Sequence, residues 1–295
     1  MNPIIRADTY EWEHSALPRR VIRCGPQDFS PCGAARNLHM KLELEQKVVL
    51  ISGGSRGIGR AIAESFLAEG ACVVVCGRKQ ADLDRLVSDN ATHKAHLKTF
   101  CGDMTLDSDI TAAVETTVST FGTITCLIPT IGKGAVRFGY EVDSKEWEDT
   151  FTINLWGAVK LARAVIPLMK RDGGGSVVFV AALAGLEAVD APITYSTAKA
   201  ALIAYSKNLS REVAPFSIRV NSVAPGNILF PGGRWEEKLR DDKDKFTKYV
   251  ENNVAMKRFG RPEEIADFVT FMSSEKASFL TGECICIDGG QRRGF

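Results

Sequence analysis

With 295 residues, 45% of them hydrophobic, the chain can bury a sizeable core, as one α/β domain of about 250 residues plus an extension or as two domains. The 37 lysines and arginines balance 36 acids for a formal net charge of +1, which gives no electrostatic case for nucleic acid or an anionic membrane surface as a partner. No apolar run reaches the ~18 residues that a membrane-spanning helix needs.

Residues 1–40 have no clear period, mix their charges and contain Pro3, Pro18, Pro26 and Pro31, so a loosely ordered N-terminal extension is expected. Asp8, Glu11, Glu13 and Asp28 argue against a transit peptide, and the lack of a long apolar stretch argues against a secretory signal. Met40 stands where an alternative start would fall.

From Lys47 onward short apolar strands alternate with amphipathic helices. Val48–Ser52 reads as a strand, Gly53–Gly59 as a glycine-rich turn, and Arg60–Glu69 as a helix closed by Gly70. Cys72–Cys76 is a second strand, Ala81–Ser88 a helix, Leu97–Cys101 a third strand, Asp107–Phe121 a helix and Cys126–Pro129 a fourth strand. A long helix runs from about Ser144 to Lys170, interrupted or bent near Pro167. Strand five is Ser176–Ala181, followed by a helix over Pro192–Val213 and strand six over Ser217–Val223. Residues 227–255 are polar and partly helical; Pro262–Ser273 is a helix and Glu283–Asp288 a last strand. This alternation predicts one doubly wound α/β domain over residues 41–295, with a parallel sheet covered on both faces.

The eight cysteines do not form a disulfide framework, because most sit in apolar strand-like runs such as Ala71–Cys76 and Cys284–Ile287. Metal-site spacing is missing and histidine is scarce, so no metal is expected, and reduced thiols in a cytoplasmic protein are the favoured reading.

Two stretches carry chemistry. Ser52-Gly53-Gly54-Ser55-Arg56-Gly57-Ile58-Gly59 follows the first strand and opens the first helix. Glycines there permit a tight turn and close backbone approach to a phosphate, and the helix start supplies free N–H groups and a positive dipole end. Far along the chain, Tyr195 and Lys199 lie four residues apart, one turn apart on one helix face. An ammonium beside a phenol is expected to pull its pKa down from ~10, which equips the tyrosine to pass a proton to or from a carbonyl or alcohol oxygen. The second strand ends at Gly77-Arg78-Lys79 with no acid, and Arg56 is nearby, an arrangement that suits the 2′-phosphate of NADP(H) better than the bare ribose of NAD.

With these motifs in one domain, the sequence resembles the short-chain dehydrogenase/reductase family, and within it the 3-oxoacyl-(acyl-carrier-protein) reductases, from about Lys41 to Gly290. Gly102-Asp103-Met104, Ile153-Asn154-Leu155, Pro225-Gly226 and Asp288-Gly289-Gly290 match as well. The resemblance implies a Rossmann-like fold, a dinucleotide across the strands' carboxyl ends, and hydride exchange between a ketone and a secondary alcohol. It also implies Tyr195 as acid/base, Lys199 on the nicotinamide ribose, and Asn154 holding a helix backbone and a proton-relay water. The implied cofactor contacts are Gly53, Ser55, Arg56, Gly57, Ile58, Gly59, Arg78, Asp103, Met104, Gly132, Tyr195, Lys199, Pro225, Gly226 and Ile228. A homodimer or homotetramer is implied too, through the helices at 144–170 and 192–213, where Leu155, Trp156, Val159 and Ala204 exceed one buried stripe.

The chain departs from the family's pattern at four places. Where the family has a serine thirteen residues before the tyrosine, to hold the substrate oxygen, this chain has Ala182; Thr194 is a candidate stand-in. Pro129-Thr130-Ile131-Gly132 keeps the glycine but lacks the asparagine that braces the sheet. Phe230 replaces a threonine that meets the nicotinamide carboxamide, with Asn227 and the Ile228 backbone as replacements, and Ser52 replaces threonine. These losses leave a second reading open, a dinucleotide-binding protein with little hydride transfer. Residues 227–255, with Phe230, Trp235, Phe246 and Tyr249, are expected to form a substrate lid hinged at Gly232-Gly233. Phe230 and Trp235 wall a hydrophobic substrate or pack the lid down, and Val189, Ala191 and Ile193 line an apolar pocket wall.

Overall fold

A computed structural model describes residues 41–294, so the extension expected over 1–40 lies outside the described residues. Seven strands form one parallel sheet: β1 Val48–Ser52, β2 Cys72–Gly77, β3 Leu97–Cys101, β4 Cys126–Pro129, β5 Gly175–Val180, β6 Ile218–Pro225 and β7 Cys284–Ile287. Their order across the sheet is β3-β2-β1-β4-β5-β6-β7. The connecting helices are α1 Gly57–Ala68, α2 Gln80–Asp89, α3 Asp107–Phe121, α4 Ser144–Phe151, α5 Gly157–Arg171, α6 Ile193–Val213, α7 Arg234–Asp241, α8 Lys243–Asn253 and α9 Pro262–Ser273.

The central strands are β-branched and buried along their length, as strands covered on both faces must be. Successive side chains point to opposite sides. Val49, Ile51, Val73 and Val75 pack with Ile62, Phe66 and Val269 on one face. Leu50, Val74 and Cys76 pack with Ile110, Leu161 and Leu202 on the other. The described cysteines are free thiols, and burial pushes Cys76 up to about 12 and Cys126 up to about 11, which keeps both uncharged.

Most elements lie where the sequence puts them, with two differences. Helix α1 begins at Gly57, so the last glycines of the turn form its first turn. The long helix is not interrupted at Pro167, which sits inside α5; the irregularity comes earlier, as a π-helical segment over Thr152–Trp156 between α4 and α5. Asn154 lies in that segment, and a widened turn re-aims a side chain without ending the helix.

The strand order reverses between β1 and β4, so the connections leaving these neighbours diverge and open a crevice at their carboxyl ends. Both the glycine-rich turn after β1 and the Thr130–Gly132 loop after β4 border it.

Candidate active site

The glycine-rich turn is shaped by contacts that leave no room for side chains. A Cβ on Gly59 would lie 2.5 Å from the Gly53 carbonyl oxygen and 2.6 Å from Thr130 Oγ1, and Gly57 adopts φ +54°. Arg56 precedes α1 in extended conformation and no side chain caps the helix, so its first N–H groups are free of side-chain acceptors. Thr130 braces the sheet here where an asparagine was expected to be missed: its hydroxyl donates to the Ser52 carbonyl and ties the end of β1 to the end of β4.

One cavity follows this turn. Gly53, Ser55, Arg56, Gly77, Arg78, Asp103, Met104, Thr130, Ile131 and Gly132 line it. Arg78 is exposed at the end of β2, and no carboxylate stands among these residues except Asp103, whose Oδ1 accepts from the Thr105 amide at 3.0 Å and the Thr105 hydroxyl at 2.8 Å. Gly57 borders an adjoining pocket with Arg60, Lys79 and Arg85. Ile58 packs against the core, and Gly59 is buried in the turn.

Beyond Gly132 the remaining chemistry converges. A Cβ on Gly132 would meet Asn154 Oδ1 at 3.1 Å and Lys199 Nζ at 3.2 Å, and one on Gly134 would sit 3.8 Å from the Tyr195 ring. Asn154 grips this loop from the π turn: its Oδ1 accepts from the Lys133 amide at 2.9 Å, and its Nδ2 donates to the Lys133 and Thr150 carbonyls. Lys199, 3% exposed, donates to the Val180 carbonyl at 3.0 Å, and its Nζ lies 5.9 Å from the centre of the Tyr195 ring.

The expected depression of the tyrosine pKa is not what this geometry produces. Burial dominates both partners, pushing Tyr195 up to about 12 and Lys199 down to about 8. The ammonium is directed at a backbone carbonyl rather than at the phenol oxygen, so desolvation outweighs attraction.

Tyr195 borders a second cavity, shared with Ala182, Leu183, Val189, Ala191, Pro225, Gly226, Trp235 and Tyr249. Ala182 shares this cavity wall with Tyr195, and its methyl side chain offers no hydrogen-bond donor there. Thr194 is no replacement, because it is fully buried, its hydroxyl has no hydrogen-bond partner, and it is not part of the cavity wall. Ile193 is 45% exposed and faces away, since α6 begins at that residue and positions two apart on a helix point in different directions.

Of the aromatic residues after β6, Trp235 lines this cavity, stacked on Tyr249 with ring centres 5.5 Å apart. Phe230 does not. Its ring lies against Gly57, where a Cβ would be 2.5 Å from Cε2, and Arg56 donates to the Gly232 carbonyl at 3.1 Å beside it. Ile228 is buried in the core and bridges to Gly260, while Asn227 joins the cavity wall. Asp190 joins that wall between Val189 and Ala191, whereas Gln291 and Phe138 carry no motif and arrive from segments far from Tyr195 in sequence.

The comparisons with known proteins agree with this geometry. A family profile described as Enoyl-(Acyl carrier protein) reductase matches residues 53–292. Dehydrogenase/reductase SDR family member 4 of Mus musculus is 34% identical over 263 residues, covering 87% of this chain and 91% of that protein. The chain belongs to the short-chain dehydrogenase/reductase family. Another member, the 3-oxoacyl-(acyl-carrier-protein) reductase of Thermotoga maritima, is 32% identical over 249 residues, covering 84% of this chain and 99% of its own. The crystal structure of L-sorbose reductase from Gluconobacter frateurii, complexed with NADPH and L-sorbose, superposes with a TM-score of 0.82 at 31% identity, covering 87% of this chain and all of that one. Oxidoreductase membership and the Rossmann-like fold are thus established together.

Proposed function

We propose that this chain interconverts a ketone and a secondary alcohol with NADP(H), using Tyr195 as the acid/base. The observation that carries the proposal is the continuity of the site: a cavity begins at the glycine-rich turn, passes Arg78 and Asp103, and ends at Gly132, beside Lys199 and Asn154 and one loop residue short of the Tyr195 ring. The residues present fit a dinucleotide phosphate. Gly53 and Gly57 hold positive φ, the N–H groups opening α1 lack side-chain acceptors, and Arg56 and Arg78 supply charge where an NAD site carries an acid. The sorbose reductase complex, with NADPH bound, supports the same cofactor.

When bound, NADP(H) supplies or accepts the hydride. Tyr195 then holds or takes the proton at the substrate oxygen, and its pKa near 12 makes the neutral phenol, a donor, the resting form. Lys199 lies between Gly132 and the Val180 carbonyl, close enough to Tyr195 to stabilise a phenolate electrostatically. Asn154 fixes the Lys133 backbone and with it the loop against which the cofactor's ribose would rest. Ala182 supplies no donor to the substrate oxygen, so the transition state keeps the tyrosine hydrogen bond and lacks its neighbour. That lack also favours the second reading, a dinucleotide binder with weak hydride transfer.

Within the domain of residues 41–295, residues 227–255 act as the lid over the nicotinamide and substrate, with Trp235 and Tyr249 on its substrate side. The free thiols suit a reducing compartment, the cytoplasm, and among the described residues no helix is long and apolar enough to cross a membrane. Trp156 and Ile193 are 50% and 45% exposed at neighbouring helix ends, which supports a homo-oligomer, whereas Leu155 and Val159 are already covered by the chain's own core.

The test is a ketone panel with NADPH and with NADH, run on the wild type and on Ala182→Ser. Preference for NADPH and a rise of roughly tenfold or more in the serine variant support the enzyme. Cofactor binding without turnover in either protein supports the binder.

A further inference from the structure

The wall of the Tyr195 cavity includes a small set of buried polar atoms that lack hydrogen-bond partners among the described residues. Gln291 follows the last strand and is 6% exposed, yet its Oε1 has no hydrogen-bond partner among the described residues. Its Nε2 makes one long contact, 3.4 Å to the Tyr249 hydroxyl. Asn227, on the same wall, has a buried Nδ2 that makes no hydrogen bond of good geometry, though its side chain lies close enough to the Tyr249 hydroxyl to act on that phenol. The space beside Gln291 Oε1 is kept open by Gly226, where a Cβ would lie 3.1 Å from that oxygen. Tyr249 is held by its stack on Trp235, so its hydroxyl is presented by a rigid ring.

A buried amide oxygen and a buried amide N–H left unpaired are costly, and a ligand group that answers both recovers that cost. A hydroxyl does so in the orientation these amides hold, donating to Gln291 Oε1 and accepting from Asn227 Nδ2. A carboxylate only accepts and would face the Gln291 oxygen; an ammonium only donates and would face the Asn227 N–H. Each cation of the wall has a counter-charge, Lys238 in Asp190 on the wall itself and Arg234 in Glu237, outside it, at 3.1 Å.

Resting on the reading of Tyr195 as the acid/base, we infer that Gln291 and Tyr249, with Asn227, form a hydroxyl-binding subsite, and that the substrate is a neutral hydroxylated ketone or the corresponding polyol. Gln291 and Tyr249 are specificity-determining residues in this account. They act on the part of the substrate that does not react.

The experiment compares hexan-2-one, its monohydroxylated analogues with the hydroxyl on each carbon beyond the carbonyl in turn, and a keto acid of the same chain length, all with NADPH. At least one hydroxylated ketone should exceed hexan-2-one in kcat/KM by about tenfold, mostly through KM, the effect of one good hydrogen bond. In Gln291→Leu the ratio of the two kcat/KM values should fall about fivefold or more. Tyr249→Phe, which keeps the ring stack, should lower the same ratio and serves if the leucine variant does not fold. Preference for the unsubstituted ketone or the keto acid, or a ratio unchanged in both variants, would overturn the subsite while leaving the Tyr195 reading in place. Reduction of none of these ketones by wild type that binds NADPH would overturn that reading, and the subsite with it.

Discussion

Lys199 shows how one side chain can be both the chemical asset and the energetic liability of a site. Its amine is buried and pushed down to about 8, below the ordinary lysine value of 10.5. A group whose charged form is disfavoured by folding costs stability fully below its folded pKa, and the cost is relieved as pH rises toward the unfolded value. Relative to Lys199→Met, the wild type should therefore gain about 1.4 kcal/mol for each pH unit climbed above about 8. Urea unfolding of both proteins at neutral pH and at pH near 10 checks this; a constant difference would mean that Lys199 is not desolvated. At this scale the sequence was informative about identity and silent about direction. The helical spacing brought Tyr195 and Lys199 to one face, but whether the ammonium meets the phenol or the Val180 carbonyl depends on β5, a strand the spacing does not include. Thr130 is the same kind of case, because its hydroxyl replaces an amide brace only once β1 and β4 are neighbours.

Among the elements, the β1–α1 turn sets the reach of the whole site. Gly59→Ala would drive a methyl group to 2.5 Å from the Gly53 carbonyl and 2.6 Å from Thr130 Oγ1, backbone and a tied side chain that have nowhere to go. The variant should lose about 1–3 kcal/mol of stability, as overpacked sites do, and most of its NADPH affinity. Thermal melts with and without NADPH read both effects; a wild-type melting temperature and an undiminished NADPH shift would remove the turn from the account. The strands were legible because a buried parallel strand needs an unbroken apolar run, and the β4 run, Cys126–Pro129, is apolar and buried at every position. The π segment was not legible. Nothing in Thr152–Trp156 breaks helical periodicity; what widens the turn is the pull of Lys133 and Thr150 on the Asn154 amide. Which of the two roles open to Phe230 it takes was not legible for a related reason, since the packing of its ring on Gly57 is a contact between distant segments.

For the molecule as a whole, the reversal of strand order between β1 and β4 makes a single crevice available to residues from four widely separated stretches of chain. That is why the glycine turn and the Tyr195 helix, more than a hundred residues apart in sequence, can be read as one site from their motifs alone. The cavity wall beside Tyr195 was legible only in part: Val189, Ala191 and Trp235 line it, whereas Gln291 carries no motif and meets Asn227 and Tyr249 only after the last strand has joined the sheet. The exposed Trp156 and Ile193 predict an assembly of identical chains. Light scattering behind size-exclusion chromatography should return the mass of a dimer or tetramer, and a monomer would contradict that expectation. The most direct test of the account is ketone reduction by the wild type and by Tyr195→Phe at equal NADPH saturation. The account predicts a loss of about a hundredfold or more in kcat with NADPH affinity retained; equal rates in the two proteins would contradict it.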